Sequence, residues 1–201
     1  MQDMTIPAPI YRAFKTLPQQ KGSAKASDRI AEFIRLGCTA YYFTLTYSDR
    51  YIVIHAEWPK PKDMGNEHEG WFRYLDRAAF TRLDYDPKNG ATYPITDEPD
   101  TTFVGGDILR PGVLDSFLYL DNHSLQKRNN GKVSLSKQVN PIYLSTVLKV
   151  FATICKGGSK DGTTEGATLD IGSNPIGPVV VRSYVPKHGL SLTALVMPIR
   201  S

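Results

Sequence analysis

The chain has 201 residues, of which 41% are hydrophobic and 22% charged, and its formal net charge is +4. That length and composition fit a folded protein with one substantial core or two small ones, and they exclude a wholly disordered chain. Its purely apolar runs are only a few residues long, as in Val179-Val180-Val181. No segment is expected to cross a membrane as a helix, and the modest positive charge permits a polyanionic partner without requiring one.

Residues 5–17 read as a short strand followed by a helix. Pro9 suits a first helical turn, and Ile10, Ala13, Phe14 and Leu17 recur at the spacing of one buried helical face, with Arg12 and Lys15 on the other side. A polar loop runs from Gln19 to Ala26. Ser27 or Asp28 then caps an expected second helix with apolar positions Ile30, Phe33, Ile34 and Leu36, stopped by Gly37. Residues 41–47 alternate Phe43, Leu45 and Tyr47 with Thr44 and Thr46. With the turn Ser48-Asp49-Arg50 and the return run 51–56, they predict an antiparallel hairpin.

From Pro59 to Gly131 prolines and Asn-Gly or Gly-Gly pairs punctuate the chain. Within this stretch residues 70–83, with Trp71, Leu75, Ala78, Ala79 and Leu83, predict a helix. Residues 132–136 predict a strand. A helix over 141–156 follows, with Asn140 as N-cap, Pro141 at its first position and Gly157 beyond its end. Its apolar stripe is read as Ile142, Leu144, Val147, Leu148, Phe151, Ile154 and Cys155, with Ser145, Lys149, Thr153 and Lys156 facing away. Strands are expected near 167–171, 178–184 and 190–199. The plan of residues 1–58 is weakly echoed by that of 132–201, which suggests two related halves.

Motifs for catalysis are weak. Gly157-Gly158-Ser159-Lys160 follows a helix where a phosphate-binding loop would lead into one, so it reads as a connection. His68 between Glu67 and Glu69 has no second histidine one helical turn away, and His55, His123 and His188 are scattered. The acidic residues Asp84, Asp86, Asp97, Glu98 and Asp100 read as a charged surface stretch. Cys38 and Cys155 lie in apolar contexts and suggest free thiols in a reducing compartment. The start of the sequence lacks the basic-then-apolar order of a secretory signal. A cytoplasmic protein without metal or cofactor, and not an enzyme, is the expectation.

The C-terminal third carries a resemblance. Val133-Ser134-Leu135, then Asn140-Pro141-Ile142-Tyr143-Leu144, Pro178-Val179-Val180-Val181 and finally Leu195-Val196-Met197-Pro198-Ile199-Arg200 resemble, in order and spacing, the C-terminal domain of bacterial DNA sliding clamps. The first 58 residues match the preceding half of such a domain loosely. The resemblance implies an α+β fold of two βαβββ-type halves, with helices on one face of antiparallel sheets. It further implies a single clamp-like domain, with residues 1–58 and 132–201 as its halves and 59–131 as a large insertion.

Several functional expectations come with that family. Inner helices would offer basic side chains to duplex DNA without base readout, which by position names Arg12, Lys15, Lys149 and Lys156. The C-terminal strand would line a groove for short peptides of polymerases and clamp loaders, which names Leu195, Val196, Met197, Pro198 and Ile199. Clamp chains ordinarily carry three such domains, so a one-domain chain would encircle DNA only as a homo-oligomer. The resemblance therefore implies a replication processivity factor. Its alternative is an interaction protein of a phage or mobile element that uses the same fold to occupy a host replication or defence protein.

Overall fold

The computed structural model describes residues 2–17, 33–49, 51–96, 137–156, 166–171 and 177–199. The described chain order is β1 (Gln2–Ile6), α1 (Ala8–Lys15), β2 (Phe33–Cys38), β3 (Tyr42–Ser48), β4 (Ile52–Pro59), β5 (Phe72–Asp76), α2 (Arg77–Thr81), β6 (Asp84–Asp86) and β7 (Gly90–Ile95). It continues with α3 (Pro141–Lys156), β8 (Thr168–Asp170), β9 (Val179–Val185) and β10 (Leu190–Val196). All pairings are antiparallel. One sheet runs β5-β2-β3-β4-β10-β9-β8, and a smaller one runs β1-β7-β6.

The large sheet is two meanders joined edge to edge. β2-β3-β4 and β8-β9-β10 meet where Ser191 to Val196 pair with Glu57 to Ile52. Each meander follows a helix in the chain, α1 or α3, and the two meanders sit side by side in one sheet. On one face, Phe43, Leu45, Tyr47, Ile52, Ile54, Ala56, Leu192, Ala194 and Val196 enter a single core with Ile10, Phe14, Val147, Phe151 and Ile154 of the two long helices. The alternation of strand side chains makes this face apolar, and the helices cover it.

Local chemistry explains several elements. α1 begins after Pro7, carries Pro9 in its first turn, and buries Ala8, Ile10, Tyr11, Ala13 and Phe14. At its far end the last carbonyls have no helical partner, and the guanidinium of buried Arg77 donates to the Lys15 and Leu17 carbonyls. The hairpin between β3 and β4 turns on Asp49, whose Oδ1 accepts from the amides of Tyr51 (3.0 Å) and Ile52 (2.8 Å). Burial pushes the Asp49 carboxyl above its ordinary range, against those two bonds. Asp49→Ala is expected to cost about 1–3 kcal/mol in urea unfolding, because it orphans two amides, whereas Asp49→Asn retains the acceptor and costs much less. Equal losses for the two variants would contradict this account.

Two expected helices are corrected. Residues 33–38 form β2, not the end of a helix over 27–37. Ile34, Leu36 and Cys38 alternate inward while β2 pairs with β3 on one side and β5 on the other. Ile30, Phe33 and Ile34 satisfy a helical spacing, but pairing on both edges overrides that local pattern. Residues 70–83 divide into strand β5 and the short helix α2, with the Asp76 side chain accepting from the Ala79 amide at 2.6 Å as its cap. The expected insertion 59–131 thus contributes β5, β6 and β7, with β7 pairing β1. The expected strand 132–136, the loop 157–165 and residues 97–131 lie outside the described residues. The last strand stops at Val196, short of the expected 199.

Candidate functional site

α1 and α3 pack together over the common core, so their solvent stripes belong to one surface. On α1 this stripe holds Arg12 and Lys15, both exposed; the Lys15 ammonium lies 5.6 Å from the centre of the Tyr11 ring. On α3 it holds Lys149, Ala152 and Lys156, also exposed. Lys149 and Lys156 are two turns apart, about 10 Å along the axis. Neither helix contains an acidic residue, so the two helices bring four cations and no carboxylate to this surface.

The α3 stripe differs from the expected one. Its buried side is Val147, Val150, Phe151 and Ile154, while Ile142 is 71% exposed and Leu148 38%. Val150 replaces Leu148 in the core because the buried residues follow a single i, i+3, i+4, i+7 line beneath β4 and β10. The helix therefore presents apolar groups beside its lysines.

The C-terminal candidates divide by burial. Leu195, 2% exposed, packs with Val53 and Val180 on the second face of the sheet, and Val196 lies wholly within the main core. Met197 and Pro198 are half-buried and Ile199 is 51% exposed. Beyond β10 the chain is held by backbone bonds: Met197 N–H to Tyr51 O (2.8 Å), Ile199 N–H to Gln138 O (2.8 Å), and a bridge between Val139 and Pro198. Tyr51, 49% exposed, stacks on Tyr143 with ring centres 5.0 Å apart. These bonds set the backbone of Met197 beside that of Tyr51, and Pro198 and Ile199 beside residues 138–139 just ahead of α3. The Tyr-Leu pair after Asn140 was visible, but its stacking partner on another turn was not.

One constellation invites a catalytic reading. Thr46 Oγ1 lies 2.8 Å from His55 Nδ1, and His55 Nε2 lies 3.2 Å from Glu57 Oε1, the order hydroxyl, imidazole, carboxylate. Thr46 is fully buried, so its hydroxyl has no approach to a substrate and the relay serves as a cross-strand tie. The bond from His55 holds the Glu57 carboxyl below its ordinary range, although burial opposes the effect. A depressed carboxyl contributes stability above its unfolded value, near pH 4.3, and that contribution is lost as pH falls through the folded value. Glu57→Gln is expected to cost about 1 kcal/mol near pH 7, with the gap to the parent closing below pH 4. A gap that stays constant from pH 7 to pH 3 would count against the pairing.

The fold is similar to that of bacterial DNA sliding clamps. The H. pylori beta clamp, solved in complex with diflunisal, superposes with a TM-score of 0.51 at 12% identity, covering 99% of this chain and 66% of that one. The DNA polymerase sliding clamp from Bacillus subtilis gives a TM-score of 0.51 at 12% identity, over 100% of this chain and 64% of that one. The chain spans about two-thirds of the length of these clamps. No protein-family model matches it, and no curated protein matches its sequence. Among the described residues no helix is long and apolar enough to cross a membrane.

Proposed function

We propose that this chain is a clamp-fold DNA-binding replication factor. Its α1–α3 face lies along duplex DNA, and Arg12, Lys15, Lys149 and Lys156 meet phosphates rather than base edges. The carboxylate-free pair of helices bearing four exposed cations is the observation that carries this reading. The patch formed by Met197, Pro198 and Ile199 with Tyr51 and Tyr143 receives short apolar segments of polymerase- or loader-type proteins, where a flexible methionine adapts to varied side chains. Leu195 and Val196 end the strand that leads into this patch, Val196 on the core face of the sheet and Leu195 on the other. In this reading several copies of the chain close around the duplex as a homo-oligomer.

Binding to a duplex of random sequence, followed as salt is raised, tests the proposal. Four phosphate contacts give a slope of log K against log salt of about −3 to −4, independent of sequence. Light scattering run in parallel is expected to show an oligomer, with retention on circular DNA and release from linear DNA. A monomer with no affinity for duplex would overturn the reading and favour the interaction-protein alternative.

A further inference from the structure

The second face of the large sheet, turned away from α1 and α3, holds a cleft of about 420 Å³. That volume lies within the range of small-molecule sites. Its floor follows from strand register. Thr193 of β10 sits opposite His55 of β4 on one side and Arg182 of β9 on the other, and Arg182 sits opposite Thr168 of β8. The next row brings Glu57, Ser191 and Tyr184 together in the same way. Residues two apart on a strand share a face, so both rows belong to one surface.

The charges of this cleft oppose one another. The Arg182 guanidinium lies 3.6 Å from Asp170 Oδ2, and Glu57 accepts from His55. A phosphate approaching Arg182 would meet the carboxylates of Asp170 and Glu57, and an ammonium approaching Glu57 would meet Arg182. Either ion is disfavoured by a charge it cannot avoid. Among the described residues no group of three or more His, Cys, Asp or Glu side chains is placed to hold a metal ion. What the walls do provide is a mixture of donors and acceptors, from the Thr168, Ser191 and Thr193 hydroxyls to the Glu57 carboxylate. Tyr184, 57% exposed, adds an aromatic ring whose electron-rich face suits the weakly positive C–H groups of a ring-shaped ligand.

We propose that the cleft binds a small, uncharged, polyhydroxylated ligand of the carbohydrate class. Its hydroxyls bridge Glu57 and Arg182 across Ser191 and Thr193, and one apolar face rests on Tyr184. The site lies on the opposite side of the sheet from the basic helices, so the proposal does not depend on DNA binding.

Titration of the ¹⁵N-labelled full chain tests it by nuclear magnetic resonance. The probes are methyl glucoside, N-acetylglucosamine, ribose and maltose, with inorganic phosphate and arginine amide as the anionic and cationic arms. At least one sugar is expected to shift the amides of Ser191, Thr193 and Tyr184 saturably, and neither charged probe to do so. Tyr184→Ala, at an exposed position, is expected to weaken that sugar about tenfold, as is Glu57→Gln. The proposal is overturned if no sugar saturates at tens of millimolar, if phosphate or arginine amide saturates the same amides instead, or if Tyr184→Ala leaves the affinity unchanged.

Discussion

Gly90→Ala is expected to destabilise the fold by about 3–5 kcal/mol and to lower the thermal midpoint by roughly 6–20 °C. Gly90 opens β7 with φ at +104°, a conformation that side chains resist. A Cβ there would also overlap the carbonyl oxygen of Ile6 and come within 2.9 Å of the Ala8 amide nitrogen. Both neighbours are backbone at the junction of β1 and α1. Neither can swing aside as the tip of a flexible side chain could, because Ile6 is paired with Ala91 and Ala8 is buried in α1. Gly70, at φ +82° with open space around it, is the natural control. Gly70→Ala carries only the backbone strain, about 1 kcal/mol. Similar losses at the two positions in a thermal scan would show that overlap at the β1–α1 junction is not the cause.

Reversing charge at Lys149 and Lys156 together should cut duplex affinity by about 100-fold or more at moderate salt and flatten the salt slope by about 2. Both side chains are exposed on the stripe opposite Val147, Val150, Phe151 and Ile154, so the core is untouched. A glutamate in the last turn of α3 faces the negative end of the helix dipole, which costs about 0.3–1 kcal/mol. Unfolding measured by circular dichroism should therefore change little while binding collapses. Unchanged binding by a folded double variant would remove the helical face from the proposed DNA path.

The elements legible in the sequence were those whose signals are local. Asn140, Pro141 and Gly157 punctuate the ends of α3 in the sequence, and the β3–β4 hairpin shows as an alternating run, a turn at Asp49 and an apolar return run. β2 and β5 were hidden for one reason. Each is short, each has apolar residues that also satisfy a spacing of three or four, and the two pair with each other across the sequence, Ile34 opposite Leu75 and Leu36 opposite Arg73, while β2 also pairs β3. Pairing between segments so far apart in sequence leaves no local trace. The basic residues were legible because solvent stripes on helices follow from periodicity. The cleft was not, since His55, Arg182 and Thr193 come together only through the order β4-β10-β9. Ile142 and Leu148 satisfy a broad apolar stripe in the sequence yet stay exposed, because burial beneath a sheet admits one narrow line of residues.

The seam between β4 and β10 also dictates an order of events during synthesis. The first meander can assemble as soon as β4 has been translated, yet one edge of β4 then has nothing to hydrogen-bond until residues 190–196 are made. Throughout that interval the nascent protein carries an open strand rich in isoleucine and valine, the kind of edge that invites wrong partners. Ile52, Val53 and Ile54 are thus the residues at which a chaperone, or a neighbouring copy in mid-translation, would most readily intervene.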